Sequence, residues 1–242
     1  MNVLAIISAR MGSTRLPGKV LTPLAGRPVL GWVTRALTAC AEVDEIVVAT
    51  TTQPGDDPVE AYAAEHGIAC FRGPDTDVLS RYLLALEMTP AEAVVRITAD
   101  CPLIDPSLVD LVVATWRRDP SWDYVSTTLQ RSLPRGLDVE LVTATTLRGL
   151  GESAVGVHRQ HVTSLLYSEP AGRRLLGLCV APPADDLRVT LDTSEDLALL
   201  LAVTDALGDR IVGWAELVGF LRSRPDVVRL NAAVEQKSLE AG

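Results

Sequence analysis

Apolar and polar positions along the first half of this chain follow two periods that take turns. Residues 3–7 form an unbroken apolar run, Val-Leu-Ala-Ile-Ile, the pattern of a strand covered on both faces of a parallel sheet. Val29, Leu30, Val33, Ala36 and Leu37 then share one helical stripe, with Pro28 at its opening. Residues 45–50 read as a second strand. Asp56 or Asp57 caps a helix running to His66, which Gly67 stops. A short strand covers 68–71, and Thr76 caps a helix carrying Val78, Leu79, Tyr82, Leu83 and Leu86. A strand over 93–98 and a helix opened by Asp105-Pro106 and ending near Trp116 complete the series. This rhythm predicts an α/β fold, a mostly parallel mixed sheet with helices on both faces.

The rhythm loosens after Asp119. Strands are expected over 123–126 and 138–142, joined through the loop 132–136, and helices near 143–149 and 159–167. Residues 175–181 and 188–191 return to strand. Ser194 caps a helix through Leu207, with Glu195 and Asp196 favouring its N-terminal dipole. A last helix covers 214–223, and the tail from Pro225 is expected to pack loosely or fray. No internal repeat or low-complexity linker interrupts the chain, so 1–225 reads as one domain and 226–242 as a tail.

Composition narrows the class. Of 242 residues 48% are hydrophobic but only 4% aromatic, so the core must be built from Ala, Val and Leu. A formal net charge of −9 argues against nucleic-acid or anionic-membrane partners, which select basic surfaces. Cys40, Cys70, Cys101 and Cys179 are scattered without a Cys-x-x-Cys pair, which argues against zinc or a disulfide framework and for reduced thiols in the cytoplasm. The N-terminal apolar run is short and lacks a basic leader, a poor signal peptide, and no run is long enough to span a bilayer.

Against that acidic background, the loop 9–19 stands out. Ala9-Arg10-Met11-Gly12-Ser13-Thr14-Arg15-Leu16-Pro17-Gly18-Lys19 holds three cations and two glycines, and no acid occurs before Glu42. Phosphate groups need such a place, with backbone N–H groups exposed by small residues and Arg and Lys reaching in from the sides. The spacing is neither a Walker loop nor Gly-x-Gly-x-x-Gly.

The loop resembles the Arg-x-x-Ser-x-Arg-Leu-Pro-Gly-Lys element of the CMP-sugar synthetases and the spore-coat polysaccharide protein F family. Further matches follow in family order at residues 47–51, 71–73 and 77–82, at Val95-Arg96-Ile97-Thr98-Ala99-Asp100-Cys101-Pro102-Leu103-Ile104-Asp105, and at 136–140, 161–163 and 187–197. The resemblance implies the nucleotide-diphospho-sugar transferase (glycosyltransferase-A-like) fold and transfer of CMP from CTP to an anionic acceptor with release of pyrophosphate. It divides the chain into a nucleotide-binding half, about 1–120, and an acceptor-binding and dimerisation half, about 121–200, and implies a homodimer.

By the same resemblance, Arg10, Arg15 and Lys19 grip the triphosphate and the transferred α-phosphate, countering charge that develops on phosphoryl oxygens. Ala9, Met11, Gly12, Ser13, Thr50 and Thr51 complete the nucleotide site. Asp100 and Asp192, each just after a predicted strand, resemble the two carboxylates that bind Mg²⁺, a hard cation that keeps phosphate and water ligands. Asp77 and Arg96 are counted among the nucleotide-binding residues and stand also among the acceptor-side candidates. Arg81, Arg135, Asp138, Glu140 and His161 face the acceptor, which is an acidic sugar, a sugar or polyol phosphate, or a phosphonate.

Asp100-Cys101-Pro102-Leu103 stands where CMP-Kdo synthetases carry Asp-Glu-Pro-Leu, which weakens a direct transfer of Kdo as acceptor. Two rivals stay open at this point. One is a nucleotidyltransferase using UTP, GTP or dTTP. The other is a glycosyltransferase of the same fold, although no Asp-x-Asp triplet occurs near the central strand.

Overall fold

The computed structural model describes residues 1–170 and 172–236. In chain order its strands are β1 (Val3–Ser8), β2 (Pro23–Leu24), β3 (Arg27–Pro28), β4 (Glu45–Thr51), β5 (Ala69–Gly73), β6 (Ala93–Thr98), β7 (Tyr124–Ser126), β8 (Glu140–Thr143) and β9 (Leu175–Gly177). Its helices are α1 (Val29–Thr38), α2 (Asp57–Glu65), α3 (Val78–Met88), α4 (Pro106–Arg118), α5 (Ala144–Ser153), α6 (Val157–Gln160), α7 (Ser164–Ser168), α8 (Ser194–Leu207), α9 (Trp214–Ser223) and α10 (Pro225–Val228).

Seven strands form one sheet in the order β5-β4-β1-β6-β8-β7-β9, while β2 and β3 make a separate short ribbon. The first four are parallel, β8 runs antiparallel between β6 and β7, and β9 is parallel to β7. The sheet is therefore mixed but mostly parallel, as the βα rhythm predicts. Side chains of β1 alternate between two cores. Val3, Ala5 and Ile7 pack with α1, α4 and α8, whereas Leu4 and Ile6 pack with α3 and α5. Ser8 pairs with Ala49 on one side and Thr98 on the other, so the three central strands end at one level. Ligands of open α/β sheets gather outside such ends.

Several local expectations need correction. Asp77, not Thr76, caps α3, its Oδ1 accepting from Ser80 N at 2.9 Å. Thr193, not Ser194, caps α8, in a reciprocal box with Asp196. The Asp56 carboxylate does not cap α2 but turns to the first loop. The expected helix over 159–167 breaks into α6 and α7 at His161–Thr163, where the Thr163 hydroxyl leaves to bond Glu140. Residues 188–191 make an isolated bridge, Arg135 to Arg188, rather than a strand. The tail packs instead of fraying as far as it is described: α10 follows α9 directly, and Val227 and Asn231 are buried. Residues 237–242 of the expected tail lie outside the described residues.

Candidate active site

The first loop folds back on itself before it meets the sheet. Ala9 N extends the β1 ladder to Ala49 O at 3.1 Å, and the N–H groups of Ser13 and Gly18 both donate to Met11 O at 2.9 Å. Gly18 has a φ of 74°, the left-handed region that favours glycine, and a Cβ there would lie 3.3 Å from the Met11 side chain. Asp56 Oδ1 accepts Met11 N at 2.6 Å, while its other oxygen accepts the Thr51 hydroxyl. A buried carboxylate thus pins the loop to the end of β4.

This folding delivers Lys19 inward. Its ammonium donates to Asp100 Oδ2 at 2.6 Å, Asp192 Oδ1 at 2.8 Å and the Leu191 carbonyl at 2.8 Å. Asp100 follows β6. Asp192 is brought beside it by the bond from Leu191 N to Asp100 O, 2.8 Å. The two carboxylates lie 92 positions apart in sequence yet share one ammonium. Arg15 Nη2 and Arg188 Nη2 reach the other oxygen of Asp192 at 2.8 and 2.7 Å. Burial raises the Asp192 carboxyl, but Lys19, with Arg188 and Arg15, outweighs it and holds the group at about 2. Burial also works against the Lys19 charge, and Asp100 and Asp192 reverse that, raising it above its ordinary value.

The other nucleotide-side candidates have varied surroundings. Arg10 is exposed and pairs with Asp75 at 3.2 Å. Gly12 faces open space, and Ser13 Oγ accepts Leu16 N at 3.3 Å. Ala9 is buried and Met11 packs against the core. The Thr50 hydroxyl is buried with no protein partner, and that of Thr51 is taken up by Asp56. Asp77 is occupied by its cap and by Arg159 Nε at 2.7 Å.

On the acceptor side, Arg96 Nη1 meets Glu140 Oε1 at 2.5 Å, and Glu140 Oε2 accepts from Tyr124 OH at 2.6 Å and from Thr163. Burial raises the Glu140 carboxyl, and Arg96 with these donors brings it below its ordinary value. Arg81 is buried against Gly73 and donates to Pro74 O at 3.3 Å. Asp138 takes a two-pronged bond from Arg131 at 2.5 and 3.0 Å. The strand expected over 138–142 starts only at Glu140: Asp138 precedes β8 and pairs with Arg131, while Glu140 pairs with Arg96. Arg135 is fixed through its backbone to Leu187 and Val189 and forms no ion pair among the described residues. His161 is half-buried at the break between α6 and α7. Cys101 is buried, and burial with Asp100 beside it pushes its thiol up, which leaves no thiolate for nucleophilic chemistry.

Four site residues escape the sequence reading: Asp56, Arg188, Asp196 and Asn231. Arg188 and Asp196 lie inside the matched segment 187–197, four residues either side of Asp192, and that spacing is a signal. Asp56 and Asn231 leave none, because the groups that tie them to the site, Met11 N for Asp56 and Arg188 and Asp196 for Asn231, are remote in sequence.

The mostly parallel sheet, with a basic loop after β1 and with Asp192 brought beside Asp100 just beyond β6, defines a nucleotidyltransferase of the nucleotide-sugar transferase fold. A family model described as cytidylyltransferase matches residues 4–147, and the chain belongs to that family. It is 34% identical over 235 residues to the spore coat polysaccharide biosynthesis protein SpsF of Bacillus subtilis, covering 93% of this chain and 96% of that protein. A 3-deoxy-manno-octulosonate cytidylyltransferase of Maricaulis maris is 40% identical over 124 residues, half of this chain and 47% of its own. Among solved structures, a cytidylyltransferase from Leptospira borgpetersenii superposes with a TM-score of 0.91 at 28% identity, covering 98% of this chain and 99% of its own. The chain is thus an enzyme of the CMP-Kdo synthetase and SpsF type, and among the described residues no helix is long and apolar enough to cross a membrane.

Proposed function

We propose that this chain transfers CMP from CTP to a small anionic acceptor. The observation that carries the reading is the Lys19 ammonium held between Asp100 and Asp192 at the foot of a basic, glycine-containing loop. An acceptor oxygen attacks the α-phosphorus, the bond from that phosphorus to the β-phosphate bridging oxygen breaks, and pyrophosphate leaves. Such transfers ask the protein mainly to align the reactants and neutralise charge. In this reading Lys19 and Arg15 act on the triphosphate, with Arg10 at the rim.

Asp100 and Asp192 are the residues that would hold Mg²⁺. They supply hard oxygens on one cleft, and among the described residues no third His, Cys, Asp or Glu joins them, so phosphate and water would supply the remaining ligands. The ion when bound offsets charge on the phosphates. Arg135, which forms no ion pair among the described residues and lies near Arg131 and Arg188, supports an anionic acceptor and its approach from the second half. A homodimer contacting through that second half follows from the family resemblance; a monomeric mass by light scattering at micromolar concentration would exclude it. Pyrophosphate release with each nucleoside triphosphate, across a panel of acidic sugars, sugar and polyol phosphates and phosphonates, tests the reading as a whole. Release with CTP alone supports it, and release with all four triphosphates or with none rejects it.

A further inference from the structure

Arg188 joins the cleft carboxylate Asp192 to a buried group behind it. Its Nε donates to Asp196 Oδ1 at 2.9 Å, its Nη2 to Asp196 Oδ2 at 3.0 Å and Asp192 Oδ2 at 2.7 Å, and its Nη1 to Gln236 Oε1 at 2.9 Å. Asp196 is fully buried. It also accepts the backbone N–H groups of Asp192 at 2.9 Å and Thr193 at 3.1 Å, and Asn231 Nδ2 at 2.8 Å. Asn231 Nδ2 further reaches the Arg188 carbonyl at 3.2 Å.

An arginine needed only to neutralise Asp196 would be satisfied by its two-pronged bond. Here one nitrogen is shared with a partly exposed carboxylate that already holds Lys19 and Arg15. Asp196 fixes both the backbone and, through Arg188, the side chain of Asp192, so the Asp192 carboxylate has one orientation. The planar fork of a guanidinium can span two carboxylates in this way, whereas an ammonium is a point charge.

We propose that Arg188 is a positioning residue of the transfer reaction. Backed by Asp196 and Asn231, it aims the Asp192 carboxylate at the divalent cation and phosphate chain, and so makes the segment 231–236 part of the active site. The proposal rests on the role given to Asp192 under Proposed function. Outer partners of metal-ligating groups act in this manner, and their loss typically costs about 10- to 100-fold in metal affinity or activity.

The test is Arg188→Lys, with CTP binding followed by calorimetry with and without Mg²⁺, beside kcat and KM. The variant should bind CTP without metal within about threefold of wild type and keep its acceptor KM, yet lose about 10-fold or more of both the Mg²⁺-dependent gain in CTP affinity and kcat. An unchanged gain and kcat would overturn the proposal, leaving Arg188 a plain structural ion pair. An equal loss of metal-free CTP affinity would overturn it too, since Arg188 would then touch the nucleotide itself. If Arg188→Lys does not fold, Asn231→Ala removes one donor to Asp196 and should move the same two quantities in the same direction by about threefold; wild-type values there reject the idea. Asp192→Asn separates the two levels, because full Mg²⁺ gain in that variant would overturn the role of Asp192 itself.

Discussion

Two charged clusters stand on the same sheet, and they differ in what is left for a ligand. Around Asp192, 15% exposed, three cations from separate segments meet, of which Arg15 is 25% exposed while Lys19 and Arg188 keep only 11% and 10%. Around Glu140, 8% exposed, one carboxylate takes Arg96, itself 20% exposed, and the buried Tyr124 and Thr163 hydroxyls. Both were legible as candidate site residues from the sequence. The difference teaches that an ion pair does not by itself mark a site. A site keeps charge that a ligand can compete for, whereas the Glu140 cluster spends its charge on joining β6, β8, β7 and the break before α7.

The largest expected effect lies in the closed cluster and is on folding. Removing one partner of a buried pair strands the other, so Glu140→Gln should cost about 3–5 kcal/mol in urea denaturation. The turnover of the molecules that do fold should stay close to wild type. A loss below about 1 kcal/mol together with lost turnover would reverse the comparison and make Glu140 an acceptor contact.

The open cluster should behave the other way round. Lys19→Met keeps the aliphatic stem but removes the charge that the proposed function assigns to the phosphates, and preorganised charge of this kind is worth on the order of 10²–10³ in rate. Its stability cost should be smaller than that of Glu140→Gln. Asp192 would keep Arg15 and Arg188, and Asp100, 23% exposed, would regain water. Near-normal kcat in Lys19→Met would remove the first loop from the mechanism.

How much of this was readable beforehand follows physical lines. Buried strands and amphipathic helices of the first half announce themselves, because the parallel sheet turns burial into uniform apolar runs such as residues 3–7. Lys19, Asp100 and Asp192 were readable as members of motifs, but not the bridge between them, which depends on Leu191 N bonding Asp100 O in the loops beyond β6. Asp56 read as a helix cap because cap and latch use the same residue type. The second half was harder: its strands are three or four residues long, and the broken helix at His161–Thr163 is decided by a hydroxyl drawn to Glu140, a tertiary effect with no local period.

Acid sensitivity sharpens the comparison by about 2 kcal/mol. The Asp192 carboxyl sits at about 2 in the fold against an ordinary 3.8. A depressed group stabilises fully above its unfolded value, and that contribution is lost as pH falls from about 4 to about 2, a depth of about 2 kcal/mol. Urea midpoints of the wild type and Asp192→Asn from pH 5 downward should therefore converge toward the acid end. Parallel curves would mean that the cations do not hold Asp192 as the geometry indicates.

The smallest effect decides which residue caps α8, and so whether Asp192 is free for the cleft. Thr193 Oγ1 accepts Asp196 N at 3.3 Å and Asp196 returns a bond to Thr193 N at 3.1 Å, so the helix start is satisfied without Asp192. Thr193→Ala removes one half of that box and should cost about 1 kcal/mol, within the usual range for lost caps. Asp196 keeps Arg188, so the Mg²⁺-dependent gain in CTP affinity should survive. If Asp192 could serve as the cap, it would step in: the stability loss would shrink to a few tenths of a kcal/mol, and the metal-dependent gain would fall as the carboxylate left the cleft. Measured together, the two quantities tell a carboxylate committed to the cleft from one that is merely near a helix end.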